Sequence, residues 1–125
     1  MKFCTVINCM DGRVQIPVIN YLRKRFNVDY VDCITEAGPN LILAEQKDEF
    51  LVQSILTRVK ISIEKHFSVS VAIVGHYDCA WNPSSKEKQL MHLRDAVELL
   101  RQHFELPIIA LWVDENWKVK ELSNG

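Results

Sequence analysis

The fold is decided by the stretch Val69-Ser70-Val71-Ala72-Ile73-Val74, which is followed directly by Gly75-His76. Apart from one serine it is a continuous apolar run, and the glycine bounds it. A short strand that is apolar on both faces is typical of the centre of a parallel sheet, where helices cover both sides. The stretch therefore predicts a central parallel strand with a histidine just past its carboxyl end.

Strands and helices alternate on both sides of this central strand. Further strands are predicted at Phe3–Asn8, Tyr30–Thr35 and Ile108–Val113, with a short edge strand around Lys118–Leu122. Helices are predicted from Pro17 to about Phe26, from Ala44 to about His66, and from a capping box at Ser84 and Glu87 to about Phe104. This order predicts an α/β fold in three layers. A mostly parallel sheet of four strands, in the order 2-1-3-4, carries a short antiparallel edge strand and has helices on both faces.

The composition is that of a globular protein. The 125 residues are 48% hydrophobic, which is enough to bury a core, so residues 1–125 are expected to form one domain. The 15 basic and 16 acidic residues are dispersed and leave a net charge of -1, which argues against nucleic acid as a partner. No apolar run approaches the roughly 20 residues that span a bilayer. The first ten residues are too polar for a secretory signal, so a cytoplasmic protein with no membrane partner is expected.

The four cysteines fall into two classes by position. Without a secretory context they are expected to be reduced thiols. Cys4 and Cys33 lie inside predicted strands, where a thiol usually serves as a small buried hydrophobic group. Cys9 and Cys79 lie at strand ends, where packing alone does not require a thiol.

Cys9, His76 and Cys79 are expected to meet at one edge of the sheet. Cys9 follows strand 1 and His76 follows strand 3. In the order 2-1-3-4 these strands are neighbours, and the crevice between their carboxyl ends is where such folds bind ligands. His76 and Cys79 are close enough in sequence for one tight turn to aim both at the same point. Two thiolates and one imidazole suit Zn²⁺ and leave a fourth position open, which is typical of a catalytic zinc site.

Two local motifs carry a resemblance to a known family. Cys9, Asp11 and Arg13 form C-x-D-x-R after the first strand, and His76 and Cys79 belong to G-H-x-x-C after the third. Together they resemble the signatures of the β-class carbonic anhydrases, and the likeness extends over essentially the whole chain.

This resemblance implies a zinc-dependent lyase that hydrates CO₂ to bicarbonate. Cys9, His76 and Cys79 would be the metal ligands, and a zinc-bound hydroxide would attack the substrate. Asp11 and Arg13 would form the catalytic dyad. In the active form the arginine engages the aspartate, whereas in a closed form the aspartate itself ligates the zinc. The family builds its pocket between subunits, so a homodimer or a higher homo-oligomer is also implied.

Departures from the family pattern leave other functions open. Glu36-Ala37-Gly38-Pro39-Asn40 is similar to the family's A-G-N loop but carries Pro39 as an extra residue. Ala80 stands where glycine is usual, Trp81 follows it, and the chain begins at its first strand without the N-terminal helices of larger members. The missing N-terminal helices and Ala80-Trp81 favour a zinc-binding relative with little hydratase activity that serves as a binding or regulatory module, whereas the intact pair of Asp11 and Arg13 favours the enzyme. A related hydrolase of COS or CS₂ is a third interpretation.

Several candidate residues also have ordinary structural interpretations. Asp11 and Arg13 could form a surface ion pair, or Asp11 could cap a helix. Asp78 is expected to be a solvated or capping loop residue. No role is assigned to the three remaining histidines, which lie on predicted helices: His66, His92 and His103. A cysteine phosphatase is disfavoured because three residues separate Cys9 from Arg13, where that chemistry needs five.

Overall fold

The sheet has five strands in the order β2-β1-β3-β4-β5. The computed structural model describes residues 1–123. Its strands are β1 Phe3–Cys9, β2 Tyr30–Glu36, β3 Val71–His76, β4 Ile108–Val113 and β5 Val119–Glu121. The first four are parallel to their neighbours, and β5 pairs antiparallel with β4. The predicted α/β fold, with strand order 2-1-3-4 and an antiparallel edge strand, is therefore confirmed.

Helices cover both faces of the sheet. They are α1 Gln15–Phe26, which follows a 3₁₀ turn at Gly12–Val14, α2 Pro39–Glu45, α3 Glu49–His66 and α4 Lys86–His103. The apolar side chains of α1 pack in one core, and those of α2, α3 and α4 pack in a second core. Within residues 1–123, none of the helices has the length and apolar character needed to cross a membrane.

The two cores are separated by the alternation of side chains along each strand. In β1, Val6 points into the α1 core and Ile7 into the opposite core. All six residues of β3 are buried, as expected for a strand covered on both faces. Each fully buried aliphatic side chain contributes about 1.5–3 kcal/mol to folding. The strands that carry the candidate ligands are therefore firmly held.

The register of β1 against β3 brings their carboxyl ends to the same edge. Ile7 lies beside Ile73, so continuing the register places Cys9 level with Gly75 and one residue short of His76. The crevice expected between these two strand ends is therefore present.

The helix predicted from Ala44 to His66 is wrong in its first part. Ala44 belongs to α2, and a break separates that helix from α3. Gln46 takes a left-handed conformation with φ 54°, which ends α2, and the Asp48 carboxylate accepts a 3.1 Å hydrogen bond from the Leu51 amide at the start of α3. A side-chain cap competes with a continuous helix by satisfying a free N–H at the new N-terminus.

Two further expectations are corrected by the structure. The cap of α4 is Ser85 rather than Ser84, because the Ser85 hydroxyl accepts a 3.2 Å hydrogen bond from the Lys88 amide. Cys33 is exposed, not buried. It lies beside Val6 on the α1 face, but β2 forms the edge of the sheet and this part of it is left uncovered. Cys4 is fully buried, as expected.

Candidate metal centre

Three buried side chains converge at the carboxyl ends of β1 and β3. Cys9 ends β1, His76 ends β3, and Cys79 lies in the turn that follows. Their ligand atoms all lie within 4.8 Å of one another, and the two sulfur atoms are 4.0 Å apart. Tetrahedral zinc with zinc–sulfur bonds of about 2.3 Å separates two sulfur ligands by about 3.8 Å. The spacing of the cluster therefore fits a zinc ion.

His76 presents a single nitrogen to the cluster. Its Nδ1 lies 2.7 Å from the Tyr77 carbonyl oxygen, which can only accept, so Nδ1 carries the proton and donates. Its Nε2 is buried and has no hydrogen-bond partner among the described residues. Buried polar nitrogens are rarely left unpaired, and a metal-bound histidine usually donates its other N–H to a carbonyl or carboxylate. Coordination of a metal at Nε2 would satisfy this atom.

The two thiols behave as a coupled pair. A hydrogen bond from the Cys79 thiol lowers the pKa of Cys9, and the same hydrogen bond together with burial raises the pKa of Cys79. One proton can therefore lie between the two buried sulfur atoms, which are 4.0 Å apart. A divalent cation can replace that proton and bind both sulfurs as thiolates.

Asp11 and Arg13 form a two-point ion pair beside the cluster. Arg13 donates from Nε to Asp11 Oδ1 at 3.0 Å and from Nη2 to Oδ2 at 2.7 Å. The Arg13 backbone amide also donates to Oδ1, so Asp11 caps the 3₁₀ turn as well. These hydrogen bonds lower the pKa of Asp11 to about 2. Because both oxygens accept from Arg13, the carboxylate is held in the ionised form.

Arg13 has two further contacts that the sequence did not reveal. Asp78 accepts from Arg13 twice, through its carboxylate at 3.2 Å and through its backbone carbonyl at 3.2 Å. The guanidinium carbon also lies 4.4 Å from the centre of the Trp117 ring, a cation–π contact. We call Arg13 with Asp11, Asp78 and Trp117 the arginine clamp. Asp78 is exposed, as expected of a loop residue, and its carboxylate is a second acidic partner of Arg13.

On the other side of the ligands lies a hydrogen-bonded set of buried side chains, Asn40, Asn82, Gln89 and His92, which we call the buried amide network. Asn40 donates to Gln89 at 3.2 Å. Asn82 donates from Nδ2 to Asn40 at 3.3 Å and to His92 Nδ1 at 3.1 Å. Burial lowers the pKa of His92, which agrees with a neutral ring that accepts this hydrogen bond.

The buried amide network is joined to two of the candidate ligands, His76 and Cys79, through the backbone. Gln89 donates from Nε2 to the His76 carbonyl at 2.9 Å. The Asn82 backbone amide lies 3.3 Å from the Cys79 sulfur and donates to it. A hydrogen bond to a thiolate stabilises its negative charge, and such supports orient metal ligands. The network therefore fixes the end of β3 at His76 and the turn that carries Cys79.

Comparison with known proteins identifies the family. A family model described as "Putative carbonic anhydrase" matches residues 1–123. The chain belongs to this family. No curated protein matches the sequence.

Solved β-carbonic anhydrases share the fold of the chain. The structure is similar to isoform I of Trichomonas vaginalis, with 19% identity, a TM-score of 0.59, and coverage of 98% of this chain and 82% of that one. It is also similar to the Streptococcus mutans enzyme, with 15% identity, a TM-score of 0.63, and coverage of 95% and 81%. A further match is to one chain from work on two tetrameric β-carbonic anhydrases of Sordaria macrospora, at 11% identity and a TM-score of 0.62, over 99% of this chain and 81% of that one. At these identities the likeness shows a common fold.

The carbonic anhydrase motifs are thus brought together in space. Cys9, His76 and Cys79 form one cluster, and Asp11 and Arg13 form one ion pair. The partners of these residues could not be read from the sequence, because Asp78 and Trp117 contact Arg13 across 65 and 104 positions of chain. The sequence does not reveal where the turn at Asp114-Glu115-Asn116 directs the tryptophan that follows it.

Proposed function

We propose that the protein is a zinc-dependent lyase of the carbonic anhydrase type that hydrates CO₂ to bicarbonate. The observation that carries the proposal is the convergence of Cys9, His76 and Cys79 within 4.8 Å, next to the two-point pair of Asp11 and Arg13. Soft ligands with an open fourth position and an adjacent ionised carboxylate are the parts that metal-assisted hydration needs. The matching family model supports the same activity.

The metal ligands in this proposal are Cys9 Sγ, His76 Nε2 and Cys79 Sγ. The unpaired Nε2 and the close approach of the two thiols both favour a divalent cation at this position. When bound, zinc supplies the Lewis acidity that makes water a nucleophile near neutral pH. Three protein ligands leave the fourth position for water or substrate, as in other catalytic zinc sites.

The catalytic residues in this proposal are Asp11 and Arg13. An ionised carboxylate is only an acceptor, so Asp11 can accept a hydrogen bond from the attacking water and orient its lone pair toward the carbon of CO₂. Arg13 holds that carboxylate in place with two hydrogen bonds, which also lower the pKa of Asp11 to about 2. The net reaction joins one water to CO₂ and releases bicarbonate and a proton.

A cavity next to Cys79 supports access for a small substrate. Its volume is ≈ 450 Å³, and its wall includes Tyr77, Asp78, Gln89 and Trp112. The cavity therefore reaches from the arginine clamp to the buried amide network. Among the candidate ligands, Cys79 borders this cavity.

The proposal is tested by a matched pair of cysteine variants. Cys79→Ser is expected to lose bound zinc and CO₂ hydration in a stopped-flow assay, because a hydroxyl replaces a metal-binding thiolate. Cys33→Ser changes an exposed thiol on β2 and should retain both. Zinc bound to the wild-type chain without hydration above the buffer rate would instead favour the binding module over the enzyme.

We also propose a homo-oligomer in the cytoplasm. Three large apolar side chains near the site are exposed, Met10, Tyr77 and Trp81, and a second subunit would cover them. The tetrameric Sordaria macrospora enzymes support assembly. A reducing compartment would keep Cys9 and Cys79 available as thiolates. Light scattering on the purified chain tests the assembly, and a monomer at micromolar concentration would contradict it.

A further inference from the structure

Arg13 is held from three separate loops. Asp11 takes two of its N–H groups, one on Nε and one on Nη2. Asp78 takes one on Nη1 through its carboxylate and one on Nη2 through its carbonyl. A guanidinium has five N–H donors, so Asp78 uses groups that Asp11 leaves free. The two aspartates therefore complement each other and do not compete for the same donors.

Trp117 contacts the flat face of the Arg13 guanidinium, and its own backbone conformation is unusual. Its φ is +60°, a left-handed conformation that bulky residues rarely adopt. The turn is held by Asp114, whose carboxylate accepts from the amides of Asn116 at 2.9 Å and Lys118 at 3.0 Å. The Trp117 amide donates to the Asp114 carbonyl at 2.9 Å. A strained residue that surrounding bonds hold in place is a frequent feature of functional sites.

These contacts matter because the Asp11–Arg13 pair is accessible to water. The Arg13 side chain is 46% exposed, and exposed ion pairs are weak when no further contact restrains them. An arginine free to leave would release Asp11, whose position only two residues past Cys9 gives it access to the ligand cluster. Contacts that restrain Arg13 therefore decide how often Asp11 is free.

We propose that Trp117 and Asp78 are positioning residues that hold Arg13 in its two-point pairing with Asp11 and thereby keep Asp11 away from the fourth position of the metal site. Trp117 restrains the flat face of the guanidinium, and Asp78 restrains its far edge. This role rests on the proposed function, because it concerns the availability of the same metal site. It adds a control element built from the β4–β5 turn and the loop after β3.

The first measurement follows Arg13 itself and needs no catalysis. The exchange of the Arg13 Nε–H proton with water is measured by NMR in wild type, Trp117→Leu and Asp78→Asn. Each variant removes one restraint, so exchange should become about three- to fivefold faster. Trp117→Phe retains an aromatic face and should stay within about twofold of wild type.

Matched controls come from the same surface. Trp81→Leu removes an exposed tryptophan near the site, and Glu115→Gln removes one negative charge from the β4–β5 turn. Neither side chain is a partner of Arg13. Both controls should leave the exchange rate unchanged.

The second measurement follows the metal site. Azide is titrated against the cobalt-substituted chain, and its apparent dissociation constant is read from the visible spectrum. An anion that needs the fourth position binds more weakly in proportion to the fraction of molecules in which that position is free. Trp117→Leu and Asp78→Asn should weaken azide binding about two- to fivefold, and Trp117→Phe should restore it.

The outcomes separate the two proposals. Unchanged Nε–H exchange in both Trp117→Leu and Asp78→Asn would overturn the positioning role, whatever the protein catalyses. Faster exchange with unchanged azide affinity would overturn the claim that the clamp controls the metal site. A wild-type chain that fails to take up cobalt or zinc would overturn the proposed function, and the exchange measurement would still decide how Arg13 is held.

Discussion

The two polar groups that flank the candidate ligands are built in opposite ways. The buried amide network is sealed between α2, α4 and the loop after β3, with its four side chains nearly inaccessible. The arginine clamp lies on the surface and depends on charges exposed to water. One group meets the ligands through the His76 carbonyl and the Cys79 sulfur. The other places an ionised carboxylate beside them.

This contrast indicates that the buried amide network and the arginine clamp have different effects on stability. Breaking a hydrogen bond inside the network leaves a buried polar group without a partner, which costs about 1–3 kcal/mol. Breaking an exposed ion pair costs about 0–1 kcal/mol, because water replaces the lost partner. The network should therefore set stability and metal affinity. The clamp should set reactivity with little effect on folding.

The largest effect is expected at the clamp. Arg13→Ala should reduce the rate of CO₂ hydration about 100-fold, because Asp11 loses the group that orients it. Rate losses of this size are typical when one preorganised catalytic contact is removed. The free energy of unfolding in urea should change by less than about 1 kcal/mol.

A matched arginine on α1 is the control for this prediction. Arg25 also pairs with a carboxylate, Glu121, also lies over an aromatic ring, Phe26, and is exposed to the same degree. Arg25→Ala should leave hydration unchanged. A large loss of stability in Arg13→Ala alone would show that the clamp is structural.

The next largest effect is expected from Gln89→Leu in the buried amide network. Loss of the bond to the His76 carbonyl should weaken zinc binding about 10- to 100-fold and lower the free energy of unfolding by about 2 kcal/mol. Competition with a chelator and urea unfolding measure the two quantities. Gln102→Leu, on the exposed face of the same helix, should alter neither one. Equal effects of the two variants would contradict the role of the network.

A smaller effect is expected from Gly75→Ala. A Cβ there would lie 2.8 Å from Asn40 Nδ2 and 3.3 Å from Gln89 Oε1, so the network would have to move. Overpacking of this kind costs about 1–3 kcal/mol, which thermal unfolding can detect. The control is Gly12→Ala, where nothing lies within 4 Å of the added carbon. No loss in Gly75→Ala would mean that the network is loosely packed.

The smallest effect concerns pH. Burial lowers the pKa of His92, although Glu45 and Asp95 oppose the shift and Lys88 adds to it. The unfolded chain therefore binds this proton more readily than the folded chain. His92 should stabilise the fold above its ordinary pKa of about 6.5, and this contribution should be lost as the pH falls further.

The pH effect is measured by urea unfolding between pH 7 and pH 5. The slope that one proton contributes is at most about 1.4 kcal/mol per pH unit. His92→Gln should flatten the pH dependence, whereas His103→Gln, on the exposed end of α4, should not. A slope that persists in His92→Gln would place the titrating group elsewhere.

The parts of the fold that could be predicted are those where burial is uniform along an element. The limits of β4, Ile108–Val113, follow from an apolar run that begins after Pro107. The break before α3 was hidden because Ala44, Glu45 and Gln46 all favour helix, and only the cap at Asp48 signals a new start. Exposure of Cys33 depends on which strand forms the edge and on how far α1 extends over it.

Some parts of the candidate site could also be predicted from the sequence, and others could not. The convergence of Cys9, His76 and Cys79 could be predicted because parallel strands that are neighbours in the sheet end at one edge. Asp78 could be placed in a loop, but its contact with Arg13 depends on the exact path of that loop. Trp117 could not be predicted, because its left-handed conformation is imposed by the hydrogen bonds of the Asp114 turn. Contacts made by exposed loops leave no periodic pattern in the sequence.

Binding of one zinc ion by Cys9, His76 and Cys79 is tested most directly by X-ray absorption at the zinc edge. The wild-type chain should contain one zinc with two sulfur neighbours at about 2.3 Å and lighter donors at about 2.0–2.1 Å. Cys79→Ser should lose the zinc or one of the sulfurs. A chelator-free preparation without zinc, or a zinc shell without sulfur, would contradict the account.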